Sequence, residues 1–160
     1  MVISLRDREK LMADRQISVQ LIKYNSCEYQ QACQLRYELF FAEHKLPWNV
    51  TQDERQADYF HGAVICAGEL IAYGQLIPHE NQIYQVCQMV VKPNYQRQNL
   101  GGTILKALTE LAKQEGAIAL TLNSRLTAVG FYQKFGFQTY GLQFPSATTK
   151  VPHITMIKKL

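Results

Sequence analysis

The order of strand-like and helix-like stretches in this sequence predicts an α/β (α+β) fold, a mixed and mainly antiparallel sheet of about seven strands flanked by about four helices. Three observations predict it. Apolar and β-branched residues alternate or cluster in short runs at residues 17–22, 62–67, 70–78 and 83–91, the period expected of strands. Leu100, Ile104, Leu105, Leu108, Leu111 and Ala112 recur at the 3.6-residue period of a helix packed on one face. Beyond that helix, strand-like and helix-like stretches alternate again to the end of the chain.

The elements follow in order. Residues 1–16 are charge-rich, with Leu5 and Met12 among few apolar anchors, and are expected to be a frayed helix or an extension outside the core. Residues 17–160 form a single domain. After the strand at 17–22, Ser26 offers an N-cap, and Tyr29, Ala32, Cys33, Leu35, Leu39 and Phe40 give a helical stripe running to about Glu43. A polar loop over residues 45–58 contains Pro47. Strands at 62–67 and 70–78 turn around Gly68-Glu69, and a further strand covers 83–91. The helix opening at Leu100 stops at Gly116, a strand covers 117–122, and a short helix over 127–135 stops at Gly136. Residues 137–144 and 151–157 close the sheet as an antiparallel pair around a loop at 145–150.

Composition sets limits on function. With 160 residues, 47% apolar and 19% charged, the chain suits one globular domain with a proper core. The net charge of +4 is mild and its basic residues are scattered, which suits a small anionic partner and argues against a nucleic-acid face. Cys27, Cys33, Cys66 and Cys87 form no Cys-x-x-Cys pair and read as small buried hydrophobes in a reducing compartment, so neither a disulfide framework nor a metal site is expected. The N-terminus has no signal-peptide pattern, and nothing approaches the ~20 apolar residues that span a bilayer. A cytoplasmic protein without membrane or nucleic-acid partners is expected.

The most informative run is residues 90–105. An apolar strand end, Val90-Val91, passes through a polar turn into a helix that begins Leu100-Gly101-Gly102. The first N–H groups of a helix lack internal acceptors and carry the positive end of the macrodipole, so they suit a pyrophosphate. Glycine removes the Cβ atoms that would hold it off. Gln96-Arg97-Gln98-Asn99-Leu100-Gly101 resembles the acyl-CoA signature of the GNAT N-acetyltransferase superfamily, Arg/Gln-x-x-Gly-x-Gly/Ala. Asn99 stands where the first motif glycine is usual, and asparagine is the non-glycine residue most tolerant of a left-handed backbone.

A second segment strengthens the resemblance. Leu122-Asn123 ends a strand, and Thr127 to Phe137 is similar to the GNAT short helix with its Phe-Tyr-x-x-x-Gly-Phe ending. The resemblance implies a sheet splayed between the fourth and fifth strands, with acetyl-CoA as cosubstrate in the gap. It implies pantetheine amides held by the backbone of Met89, Val90 and Val91. It implies pyrophosphate held by Gln96, Arg97, Gln98, Asn99, Leu100, Gly101 and Gly102, a contact from Asn123, and an oxyanion donor near Met89 or Val90. It also places the Tyr132 phenol at the cofactor sulfur. A phenol of ordinary pKa about 10 stays protonated at neutral pH and can serve a departing thiolate, whose ordinary pKa is about 8.5.

The acceptor side carries a narrower resemblance. Residues 35–44, with Arg36, Phe40, Glu43 and His44, the acidic stretch containing Asp53 and Asp58, His61, and Pro152-His153-Ile154-Thr155-Met156 resemble the ElaA-like and YjcF-like GNAT proteins. His44 stands where glutamine is usual. Glu43 is the candidate to help remove the acceptor's proton, with an exposed helix-end carboxylate as the alternative, and His153 reads as a packed or edge-strand histidine. The expected activity is acetyl transfer to a primary amine of a small molecule or protein. An acyl-homoserine-lactone-synthase-like enzyme and a non-catalytic acyl-CoA sensor stay open as alternatives, as does a homodimer.

Overall fold

A computed structural model describes residues 17–160, so the expected extension over 1–16 lies outside the described residues. The elements are β1 (Gln20–Leu21), α1 (Cys27–Arg36), β2 (Phe60–Cys66), β3 (Glu69–Pro78), β4 (Ile83–Val91), α2 (Leu100–Gln114), β5 (Ala119–Arg125), α3 (Val129–Gln133), β6 (Gln138–Pro145) and β7 (Pro152–Lys159). They build one seven-stranded sheet in the order β1-β2-β3-β4-β5-β7-β6. β4 and β5 run parallel, and every other neighbouring pair runs antiparallel. No helix among the described residues is long and apolar enough to cross a membrane.

Most boundaries fall within a few residues of the sequence reading, and the departures have physical reasons. The first strand pairs only Gln20 with Ala63 and Leu21 with Gly62, because it has a single neighbour and Leu21 is 59% exposed. The β2–β3 turn sits one residue earlier than expected, at Ala67-Gly68, where both residues take left-handed φ (50° and 79°) as a tight twisted hairpin requires. The helix expected to continue to Glu43 keeps α geometry only to Arg36. Ser26 caps its start, its hydroxyl accepting the Tyr29 N–H at 3.1 Å. Residues Tyr37–Phe41 then widen into a π turn closed by the Ala42 N–H on the Tyr37 carbonyl, followed by a 3₁₀ turn at Ala42–His44. β5 extends to Arg125, three residues past the expected end, because β7 pairs with it throughout.

The sheet separates two cores. On one face α2 buries Leu100, Ile104, Leu105, Leu108 and Ala112 with Leu120, Leu122, Phe137 and Met156. On the other, α1 packs Ala32 and Leu35 against Ala63, Leu70, Tyr73 and Val90. Removing such side chains from water is the main favourable term in the fold, about 25 cal/mol per Å² of apolar surface.

Candidate active site

β4 and β5 pair only at their beginnings: Ile83 with Ala119, Tyr84 with Leu120, and Gln85 with Thr121. Beyond those pairs they part. Opposite the gap, β4 bulges, its register to β3 jumping from Tyr73–Val90 to Gln75–Cys87, with Gln88 at φ 54°. A bulge bends the strand and raises its local twist, which turns β4 away from β5. The gap opens into a cavity of about 480 Å³ reached by Cys87 and Met89 of β4, Leu122 and Arg125 of β5, Tyr132 of α3 and His153 of β7. A shallower hollow beside it shares Gln85 and Asn123 and brings in Glu80.

The turn between β4 and α2 takes the shape its sequence requires. Arg97 (φ 63°) and Asn99 (φ 60°, ψ 21°) are left-handed, so Asn99 adopts the conformation of the glycine it replaces. The Gln96 side-chain amide donates to the Val91 carbonyl at 3.1 Å and braces the turn. The first backbone bond of α2 runs from the Thr103 N–H to the Asn99 carbonyl at 3.0 Å, leaving the preceding N–H groups facing outward as donors. The two glycines differ. A Cβ on Gly102 would lie 2.8 Å from the Phe135 ring and collide with the Asn99 side chain, whereas one on Gly101 would meet nothing nearer than Phe131 at 3.4 Å.

Tyr132 packs edge-to-face against Phe131 (5.0 Å) and Phe137 (5.9 Å). Its hydroxyl has no hydrogen-bond partner among the described residues, and burial, reinforced by neighbouring Cys87, pushes its pKa up to about 12. Burial also pushes the Cys87 thiol up to about 12, and that thiol donates to Gln75 Oε1 at 3.3 Å. Of the remaining expected contacts, Val90 points into the α1 core, so only its backbone faces the gap, and Asn123 lies in β5, where its Oδ1 accepts from the Thr155 hydroxyl at 3.0 Å.

Behind the bulge lies a buried polar network; the sequence reading named Arg36 and His61 in a resemblance, but not the Gln56, Gln75 and Gln88 side chains that join it. Gln56 Oε1 accepts three donors: the Tyr29 hydroxyl at 2.7 Å, Arg36 Nη1 at 3.0 Å and Gln75 Nε2 at 2.7 Å. Arg36, only 3% exposed, also donates from Nε to Gln88 Oε1 at 3.0 Å and lies 5.8 Å from the Tyr73 ring centre. None of these acceptors is a carboxylate. His61 completes the network, donating from Nε2 to the Gln56 carbonyl and accepting the Tyr73 hydroxyl at Nδ1, both at 2.7 Å. Burial, helped by the charge on Arg36, lowers its pKa below the ordinary 6.5 despite the Gln56 carbonyl. Asp53 stays at the surface, where its carboxylate caps the turn at Glu54–Asp58 and pairs with Arg55 at 2.6 Å.

Comparison with known proteins agrees with this geometry. The sequence model of the acetyltransferase (GNAT) domain matches residues 25–160. The chain belongs to the GNAT acetyltransferase family. It is 27% identical to the N-acetyltransferase YjcF of Bacillus subtilis over 141 residues, covering 86% of this chain and 97% of that protein. Among solved structures, Escherichia coli ElaA superposes with a TM-score of 0.76 at 20% identity, covering 90% of this chain and all of that one (100%). An aminoglycoside 6'-N-acetyltransferase solved with coenzyme A gives a TM-score of 0.72 at 16% identity, covering 88% of this chain and 96% of the other. The family uses acyl-CoA, and the divergence of β4 and β5, the donors at the α2 start and the free space beside Gly101 fit such a molecule.

On the other side of this GNAT cavity the residues form a cross-strand row. Arg125 of β5 is the register partner of His153 on β7, which is in turn the partner of Phe144 on β6, and all three line the cavity. His153 Nδ1 sits 2.7 Å from the Val151 carbonyl. A carbonyl only accepts, so Nδ1 carries the proton, and in the neutral ring Nε2 keeps a lone pair. The Arg125 guanidinium lies 4.9 Å from the Phe40 ring centre, and Phe40 is part of the π turn. Glu43, the expected proton manager, does not line the cavity; its side chain is 69% exposed and its carboxylate lies 3.2 Å from His44 Nε2. The extra residue of the π turn places Phe40 and Phe41, rather than Glu43, on the cavity wall. Sequence reasoning did not place Arg125 at the cavity, and it read His153, in the Pro-His-Ile-x-Met strand, as a packed or edge-strand histidine; both line the cavity.

Proposed function

We propose that this protein is an acetyl-CoA-dependent N-acetyltransferase that acetylates a primary amine, on a small molecule or a protein, by direct attack on the thioester. The observation that carries the reading is the position of Tyr132, a protonated phenol with a free hydroxyl on the wall of the gap where β4 and β5 part. Acetyl-CoA, when bound, supplies an activated acyl group. Backbone donors from Gln98 through Gly102 hold its pyrophosphate, with Arg97 adding charge, and the unpaired edge of β4 at Met89, Val90 and Val91 holds its amides. Tyr132 donates to the leaving sulfur. His153 Nε2 receives the proton that the amine sheds. Glu43 touches no reacting atom in this reading.

A covalent relay through Cys87 is the natural competitor, since that thiol lines the same cavity. A thiol pushed up to about 12 and donating to Gln75 holds almost no thiolate at neutral pH, and thiolate is the nucleophilic form. Mass-spectrometric screening of amines with acetyl-CoA tests the reading directly. Acetylated amine with no acetylated protein supports it, and a Tyr132→Phe enzyme should then turn over about 10²-fold more slowly with CoA affinity nearly unchanged. Full turnover in that variant, or an acetyl-protein that forms and decays at the rate of catalysis, overturns it.

A further inference from the structure

A cationic amine gains from negative charge around it; among the described residues the cavity lining has none, and the adjoining hollow has the single carboxylate of Glu80. Arg125 contributes a guanidinium to the cavity lining, and Arg36 stands behind the bulge. The Arg125 side chain makes no ion pair or hydrogen bond among the described residues, and its guanidinium lies against the Phe40 ring. That contact, 4.9 Å from guanidinium carbon to ring centre, leaves the N–H donors unused, the donors that grip carboxylates and phosphates in pairs of hydrogen bonds. Arg36 adds to the same field. Its charge is satisfied only by neutral acceptors, and it reaches far enough to lower the pKa of Cys87 on the cavity wall against the dominant effect of burial.

From this charge inventory we infer that the acceptor is a primary amine that also carries an anionic group, a carboxylate or a phosphate, a few bonds from the nitrogen, with Arg125 binding the anion. The spacing follows from the register. Arg125 and His153 are direct cross-strand partners, whose Cβ atoms lie about 5 Å apart in such pairs, so one small molecule reaches both. An anion on Arg125 sets the neighbouring nitrogen beside His153, in the cavity that Tyr132 also lines. The hydroxyl-bearing loop Ser146, Thr148 and Thr149 completes the wall with neutral donors. Polyamines and other multiply charged cations would meet the Arg125 charge and, among the described residues, no carboxylate in the cavity lining. The inference rests on the N-acetyltransferase reading and adds its substrate class.

The test uses matched pairs: standard L-amino acids against their amides, and O-phosphoethanolamine against ethanolamine, with spermidine as the cationic extreme. Calorimetry on the CoA-loaded protein reads binding, and mass spectrometry reads acetylation. The expected result is binding and kcat/KM at least about tenfold higher for the anionic member of the preferred pair, a difference of about 1.4 kcal/mol. The amino-acid and phosphoethanolamine arms distinguish carboxylate from phosphate. Arg125→Gln should erase the preference by raising KM for the anion-bearing member, with CoA affinity unchanged and no rise in KM for its anion-free, cationic partner. Equal or better use of amides, ethanolamine or spermidine overturns the inference while leaving the N-acetyltransferase reading intact, as does an Arg125→Gln effect that falls equally on both members. A protein that binds CoA yet acetylates no amine of either kind overturns the underlying reading, and the inference falls with it.

Discussion

Gly62 of β2 and Gly74 of β3 stand opposite each other in register, and Leu108 of α2 rests over the space their missing side chains leave. A Cβ on Gly74 would lie 2.8 Å from Ile104 and 3.1 Å from Leu108; one on Gly62 would lie 3.2 Å from Leu108. Gly74→Ala should therefore push α2 off the sheet and destabilise the fold by about 1–3 kcal/mol, the usual cost of overpacking. Gly62→Ala should cost less. Urea denaturation of the two variants checks the order.

The two glycines at the α2 start should separate binding from folding. Gly101→Val meets little of the protein but fills the ligand side, so CoA affinity should fall at least about tenfold while the melting temperature barely moves. Gly102→Ala collides with Phe135 and Asn99 and should lower the melting temperature first. Calorimetry and thermal melts on both proteins read the contrast. Wild-type CoA affinity in folded Gly101→Val would remove the pyrophosphate from this turn.

His61 predicts an acid-side weakness. Its pKa in the folded protein is below the ordinary 6.5, so the unfolded chain binds the proton more readily. Stability contributed by neutral His61 is full above that ordinary value and is lost as pH falls toward the folded value. Denaturation midpoints should drop as the buffer is taken below about pH 6.5, and His61→Gln should flatten that slope at the cost of lower stability at neutral pH. An unchanged slope would mean another group governs the acid limb.

His153 and Glu43 should part company in kinetics. His153→Gln keeps a polar side chain but removes the free Nε2 lone pair, and kcat should fall by about 10²-fold or more near neutral pH, recovering at high pH where the amine is already neutral. Glu43→Gln should stay within about threefold of wild type across the profile, because an exposed carboxylate outside the cavity has no proton to take from a bound amine. The reverse pattern would return the proton to Glu43.

Local rules made much of this readable from the chain. The α2 stripe, the Ser26 cap, the two-glycine helix start and the left-handed Asn99 depend on neighbours within a few residues, and each appears as its sequence implies. The cavity wall on the β7 side depends on register instead. That Arg125, His153 and Phe144 form one row follows from how β5, β7 and β6 slide past one another, which residues 28 positions apart do not announce. The π turn at Tyr37–Phe41 escaped for a related reason: its sequence is as apolar and periodic as an α-helix, and the extra residue shows only in how Phe40 meets Arg125. Gln56 looks like an ordinary surface residue, and nothing near Arg36 in the chain announces its burial, until the bulge in β4 and the 3₁₀ turn at Glu54–Asp58 bring them together.

Among the described residues three ladder pairs, Ile83–Ala119 to Gln85–Thr121, and the Ile118 N–H on the Gln82 carbonyl stitch β1–β4 to β5–β7–β6; past them the halves share apolar packing under α2 but no ladder. A molecule lying along the gap and bonding to both lips would act as the missing rungs. The two parts of the sheet should then be nearly separate opening units when the gap is free and one unit when it is bridged, so that amide exchange in β5, β6 and β7 slows together, far from any atom the ligand touches.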